Sequence, residues 1–149
     1  MANNMVLLVE DNPDDEALTL RAFRASHADD EIVVVHDGVE ALDFLFGTGA
    51  HAGRDLARMP TVVLLDLNLP RIDGLEVLRR MRADPRTSTV CVVVFTSSGE
   101  ERDIASAYQL RANSFIRKPV AFESFAETVK QVGEYWLHHN QPLVPHSPS

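Results

Sequence analysis

A single cysteine in 149 residues, Cys91, allows no intramolecular disulfide and suits a reducing compartment. It sits inside an apolar run and reads as inert core. No apolar run approaches the ~20 residues that a membrane span requires. The opening Met1-Ala2-Asn3-Asn4 lacks the basic-then-apolar pattern of a secretory signal. Positive charge is scarce: 14 basic residues against 22 acidic ones give a net charge of −8, and such a surface repels nucleic acid and anionic lipid. No glycine-rich loop follows the first apolar run, which argues against a nucleotide- or flavin-binding member of this topology. The six histidines show no ligand spacing; His138 and His139 are adjacent, and adjacent side chains on a helix do not face each other, so no metal is expected there. Neither an internal repeat nor a second domain is visible. The expectation is a cytoplasmic protein with one core and no direct nucleic-acid or membrane partner.

What is present is organised around Thr61-Val62-Val63-Leu64-Leu65-Asp66-Leu67-Asn68-Leu69-Pro70. A short continuous apolar run reads as a strand buried on both faces. A carboxylate at its end stands at the sheet rim, where open α/β folds place their chemistry. Taken alone a strand-ending Asp reads first as the cap of the next turn; with the rest of the chain, Asp66 reads as a nucleophile that accepts a phosphoryl group.

The rest of the chain alternates. Met5 to Val9 is an apolar run ending in Glu10-Asp11, and Asn12-Pro13-Asp14-Asp15 opens a helix to Ser26, with a cap, a proline at the first position and acids in the first turn. Ile32 to Val35 is a second strand. Asp37-Gly38-Val39-Glu40 resembles a capping box for a helix ending at Gly47. Gly47 to Met59 lacks periodicity and reads as a tolerated insertion rather than a binding loop. Beyond Asp66 come a turn over Leu69 to Gly74, a helix from Leu75 to about Ala83, and a strand over Val90 to Phe95 ending in Thr96. Ser98 with Glu101 suggests a second capping box and a helix from Gly99 to about Leu110. Ser114 to Arg117 is a fifth strand, followed by Lys118-Pro119. Phe122, Phe125, Ala126, Val129, Val132 and Trp136 form the apolar face of a last helix, from Phe122 to Leu137. The reading assigns residues 5–138 to the domain and 139–149 to a tail or dimerisation arm. Strand–helix alternation repeated five times implies an α/β fold, a doubly wound parallel sheet with helices on both faces.

In a parallel sheet all carboxyl ends share one edge, so Glu10-Asp11, Asp66, Thr96 and Lys118 converge. Three carboxylates suit a hard cation, and Mg²⁺ typically takes one or two of them with water and backbone oxygens. The carbonyl of Asn68 is placed to be such a ligand. The Lys118 ammonium and the Thr96 hydroxyl answer the remaining oxygens of a transferring phosphoryl group. Each residue alone has a bland reading: acids at a helix start, a strand threonine, a solvated lysine.

Val9-Glu10-Asp11-Asn12, Leu64 to Gly74, Phe95-Thr96-Ser97 and Lys118-Pro119 together resemble the receiver domain of two-component response regulators, over about Met5 to Leu137. The resemblance implies a flavodoxin-like sheet of strand order 2-1-3-4-5. It implies Asp66 as phosphoacceptor for a histidine kinase, and Mg²⁺ on Asp11, Asp66 and the Asn68 carbonyl, with Glu10 acting through water. It implies Thr96 and Lys118 on the phosphoryl group, a cis bond to Pro119, Phe115 as switch aromatic, and Ser97 as the small residue after Thr96. Glu10 stands where many receivers carry Asp. Asp11 to Asp15, Asp43-Phe44-Leu45 and Glu134 to Leu137 further resemble the single-domain regulators paired with cyanobacterial and bacterial phytochromes, implying a light-sensing kinase and a homodimer through the last helix and tail. Trp136, Leu137 and the tail have two readings: packed against a second subunit, or Trp136 in the core with the tail disordered.

The expected function is thus a stand-alone phosphoacceptor switch, not an enzyme, signalling by protein contact or phosphorelay. Two rivals stand beside it. An aspartyl-phosphate phosphatase of the haloacid-dehalogenase type wants an Asp two residues after the nucleophile, and Asn68 cannot act as that acid. A phosphorylation-independent adaptor has no need of the intact polar set.

Overall fold

The apolar runs form five strands: β1 Met5–Val9, β2 Glu31–Val35, β3 Val62–Leu65, β4 Cys91–Thr96 and β5 Ser114–Arg117. The computed structural model describes residues 4–143. Residues 1–3, part of the stretch read as lacking a signal sequence, and residues 144–149 of the expected tail lie outside them. The strands pair in parallel in the order β2-β1-β3-β4-β5, as the resemblance implies. Among the described residues five α-helices alternate with them: α1 Pro13–Ser26, α2 Gly38–Phe46, α3 Gly74–Ala83, α4 Glu101–Gln109 and α5 Phe122–Gly133. A wider, π-type turn over Glu134–His139 extends α5.

Strand alternation divides the core in two. Met5, Leu7 and Val9 of β1 join Val63, Leu65, Val92 and Val94 in one cluster, covered by Leu45 of α2, Leu78 of α3 and Ala107 of α4. Val6 and Leu8 join Val62, Leu64, Val93 and Phe95 in the other, covered by Phe23 of α1 and by Phe125, Val129 and Val132 of α5. Both faces of β1 and β3 are therefore buried, which is why those strands carry no polar alternation. Each such aliphatic side chain stabilises the fold by roughly 1.5–3 kcal/mol on burial.

The helix starts follow local chemistry. The Asn12 side chain accepts from the amides of Asp14 and Asp15 at 2.9 and 3.0 Å. Asp37 caps α2 through Glu40 N, and Asp73 caps α3 through Glu76 N. Gly47 ends α2 in the left-handed region, with φ 67°.

Four expectations need correction. Ser98 does not cap α4: its hydroxyl donates to Asp103 Oδ2 at 2.5 Å and accepts only from Glu100 N, at 3.4 Å, ahead of the helix, which begins at Glu101. Phe122 is exposed rather than part of the buried face of α5; it is the helix's first residue, and the buried face starts one turn on, at Phe125. Leu137 is buried in this chain's own second core, where the π-type turn directs it, and Trp136 packs partly against the same cluster. The bond between Lys118 and Pro119 is trans, as no cis peptide occurs among the described residues.

The loop after α2 is held to the domain by Arg54. Its Nε donates to the Phe44 carbonyl at 2.6 Å, and its guanidinium lies 4.0 Å from the Phe44 ring centre.

The start of α3 passes directly beneath the end of β3. A Cβ on Gly74 would fall 2.3 Å from the Asp66 carbonyl oxygen and 2.7 Å from Leu67 Cα, both backbone atoms with no room to yield. Gly74→Ala is expected to lower unfolding stability by about 1–3 kcal/mol, measured by urea denaturation; an unchanged midpoint would contradict this packing.

Candidate functional site

Beyond the last hydrogen-bonded residues of β1 and β3 the chain leaves the sheet, and the next side chains are polar. The parallel ladder sets Val9 beside Leu65, and Asp66 N donates to the Val9 carbonyl at 3.1 Å. Glu10 and Asp66 therefore end adjacent strands side by side. Thr96 closes β4, level with Arg117 of β5, and Lys118 follows immediately. Lys118 N donates to the Thr96 carbonyl at 2.7 Å, which fixes the lysine's origin over the same edge.

Lys118 is the hub. Its Nζ lies 2.6 Å from Glu10 Oε1, 2.8 Å from Asp15 Oδ2 and 3.0 Å from Asp66 Oδ2. Glu10, Asp66, Thr96 and Lys118 are all buried. The other carboxylate oxygen of Asp66, Oδ1, accepts from the Thr96 hydroxyl at 2.8 Å and from the Asn68 amide at 3.1 Å. The Asn68 contact turns the β3–α3 loop back over Asp66 and brings the Asn68 backbone to the site. Glu10 Oε2 accepts from Asn12 N at 3.2 Å, which ties the acidic pair to the start of α1.

The electrostatics follow from burial and pairing. Burial pushes the Glu10 carboxyl up to about 7, against the opposing pull of Lys118 and with the Asp66 charge adding to the rise. Burial alone would lower the Lys118 ammonium. Its hydrogen bonds to Asp15 and Glu10, with the charges of Asp66 and Glu10, outweigh that and hold it above the ordinary lysine value. Carboxylates this close repel, and a proton on Glu10 or a cation beside it relieves them.

Carboxylate oxygens of Glu10, Asp11 and Asp66 lie within 4.8 Å of one another. Asp11 is exposed, so the group opens to solvent on that side. An all-oxygen donor set with one open side suits a hard divalent ion that keeps part of its water. Mg²⁺ fits these residues.

Glu10, Asp11, Asp66, Asn68, Thr96 and Lys118 are thus gathered at one edge, as the strand ends require. Ser97 follows at the same edge and is exposed. Phe115 lies on β5, two strands from β3, half-buried against the first core and level with Val94 of the intervening β4. Sequence reasoning missed Asp15, which it took only as an acid of the first turn of α1. The available signal was its position in that turn, since α1 starts at the same sheet edge.

The match to known proteins agrees with this arrangement. A family model described as the response regulator receiver domain matches residues 6–130. The chain is 41% identical over 141 residues to FilR2, a probable methanogenesis regulatory protein of Methanothrix harundinacea, covering 95% of this chain and 88% of that one. It is 33% identical over 133 residues to the response regulator Rcp1 of Synechocystis sp., covering 89% and 88%. The crystal structure of Rcp1 in its Mn(2+)-bound form matches with a TM-score of 0.87 over 94% of this chain and 99% of that one, at 31% identity. The crystal structure of the phosphorylated cyanobacterial phytochrome response regulator RcpA matches with a TM-score of 0.88 over 95% and 99%, at 37% identity.

Removing the hub cation exposes its role. Lys118→Met leaves Glu10 and Asp66 buried without their counter-charge, and the loss is expected to reach about 3–5 kcal/mol in the metal-free protein near pH 8. A carboxyl whose folded pKa lies above its unfolded value gains a proton in the fold first, so stability rises as pH falls through that window. With Glu10 already raised to about 7, and higher once Lys118 is gone, the deficit should shrink toward about pH 6. A deficit that is absent, or that grows on acidification, would overturn this account of the site.

Proposed function

The chain belongs to the response regulator receiver domain family, and from that premise we propose that it is a switch whose phosphoacceptor is Asp66, charged by a histidine kinase of the phytochrome class. The family works as a signalling switch fed by histidine kinases, and its receiver domains bind a divalent metal at such an acidic group. The observation that carries the assignment is the position of Asp66: a buried carboxylate held between one ammonium and one hydroxyl, beside two further acids.

The chemistry follows from these contacts. One Asp66 oxygen attacks phosphorus in line; the new P–O bond forms as the donor P–N bond breaks, and the electron pair returns to the donor imidazole, which takes up a proton. Asp11, Asp66 and the Asn68 carbonyl would hold Mg²⁺, with Glu10 acting through water, and the ion would neutralise charge on the transferring group. Lys118 already faces Asp66 Oδ2 and turns from the carboxylate to a phosphoryl oxygen. The Thr96 hydroxyl, donated to Asp66 Oδ1 in this state, turns likewise. Asn68 keeps its amide on Oδ1 and orients the acceptor.

The switch is a local repacking. Thr96 drawn toward phosphate leaves space beside β4 that the half-buried Phe115 ring enters, with Ser97 small enough to let the chain follow. The face of α4, β5 and α5 exposes Tyr108, Val120 and Phe122, and partners read the change there. The exposed Tyr135 ring on the π-type turn and the tail beyond it are the contact for a homodimer. The protein acts in the cytoplasm; no described helix is long and apolar enough to cross a membrane.

Incubation with Mg²⁺ and a phosphorylated phytochrome-type kinase is expected to add one phosphoryl group to the wild type, read by intact mass. The Asp66→Asn variant and a chelator-treated sample should gain none. Equal labelling of Asp66→Asn would refute the assignment, and transfer only from unrelated kinases would refute the phytochrome pairing.

A further inference from the structure

On the far side of the molecule, away from the acidic edge, three side chains separated by up to 111 positions meet. His27 is the residue that ends α1, and its amide donates to the Phe23 carbonyl at 2.6 Å. Asp30 follows in the short turn before β2, its amide donating to the His27 carbonyl at 3.1 Å. His138 comes from the π-type turn after α5. His27 Nδ1 lies 3.2 Å from His138 Nε2 and 3.9 Å from Asp30 Oδ2, and His138 Nε2 lies 3.3 Å from Asp30 Oδ2.

We propose that His27, Asp30 and His138 form a second metal site, for a divalent transition cation of the Zn²⁺ type. The separations carry the argument. Ligand atoms about 2.0–2.1 Å from a tetrahedral Zn²⁺ stand roughly 3.3 Å apart. Two of the three observed separations, 3.2 and 3.3 Å, match that value, and the third, 3.9 Å, closes with a small shift of the Asp30 carboxylate. Two imidazole nitrogens and one carboxylate oxygen form a three-ligand set that leaves a fourth position for water. Donors of this softness select Zn²⁺ and its neighbours over the all-oxygen preference of Mg²⁺ and Ca²⁺, so this site and the Asp66 site take different ions.

The surroundings hold the ligands in place. The His27 side chain is 2% exposed, and the ring is seated against Gly133, where a Cβ would come within 2.7 Å of Nε2 and Cδ2. Its Nε2 has no hydrogen-bond partner, leaving Nδ1 as the working nitrogen, and Nδ1 is the atom that faces the cluster. Asp30 is 10% exposed and His138 43%, so the group opens to solvent through His138 alone. The π-type turn is what makes the site possible. Pi-type irregularities in helices recur at functional positions, and this one directs Leu137 into the core and His138 onto His27, with the two rings stacked 5.1 Å apart. A cation held here clasps the carboxyl-terminal turn, with Tyr135 and Trp136, to the α1–β2 corner.

The test uses the full chain in excess Mg²⁺ at about pH 7.5, above the ordinary histidine pKa of ~6.5, with Zn²⁺ titrated against a chromophoric chelator. The Asp66→Asn chain is run in parallel, because it disables the acidic site. One tightly bound Zn²⁺ per chain is expected in both backgrounds, with a rise in melting temperature. His138→Ala, which alters a partly exposed side chain and so spares the core, should weaken binding by at least about tenfold and abolish the Zn²⁺-dependent rise, as losses at established zinc sites suggest. Asp30→Asn should weaken it as well. The proposal fails if the wild type takes up no Zn²⁺, if His138→Ala binds as tightly, or if Asp66→Asn alone removes binding.

Discussion

One ammonium group holds the carboxyl edge of this sheet together. Lys118 Nζ lies within hydrogen-bond distance of Glu10, Asp15 and Asp66, which arrive from three separate segments. Buried carboxylates without a counter-charge cost several kcal/mol each. The lysine is therefore a condition for the edge to exist as well as a chemical group within it. Its hold is incomplete by design of the charges: three acids face one cation, and burial leaves Glu10 ready to keep a proton near neutrality. The same imbalance makes the site receptive to a divalent ion. Structural need and chemical use thus draw on one electrostatic fact.

The sheet turns this local balance into a site. Parallel pairing puts the ends of β1, β3, β4 and β5 on one side, and the register leaves Thr96 on the last rung of the ladder and Glu10, Asp66 and Lys118 just past it. Two hydrogen bonds then fix the acceptor itself, the Asn68 amide and the Thr96 hydroxyl on Asp66 Oδ1. The close approach of α3 beneath Asp66, permitted only by the bare Cα of Gly74, sets the depth of the carboxylate. A change at Asn68 or Gly74 would move the Asp66 carboxylate without touching any group bound to it.

Much of this was legible in the chain. Apolar runs such as Val62 to Leu65 are buried on both faces, so they stand out without alternation, and the strand ends follow from them. Helix starts at Asn12, Asp37 and Asp73 were legible because one side chain caps a nearby amide, an event contained within four residues. The failures lie where a distant or competing partner decides. Ser98 found Asp103 and reaches only Glu100 N, short of the helix's own amides. Phe122 has the right helical phase but stands one turn before the buried face starts. Asp15 reached Lys118 across 103 positions. The histidines gave no spacing because His27 and His138 meet only through the packing of α1 on α5 and the irregular turn after it. Periodicity carries no record of such a turn.

Asp66 is proposed to carry the phosphoryl group itself, although several acids lie within a few ångströms of it. Reductive trapping addresses this directly. Borohydride converts an aspartyl phosphate to the alcohol of homoserine with release of phosphate, and peptide mass spectrometry locates the altered residue. Homoserine at position 66 alone is expected after phosphotransfer in Mg²⁺. Homoserine at Asp11 or Asp15 in its place, or phosphate recovered on a histidine with residue 66 untouched, would contradict it.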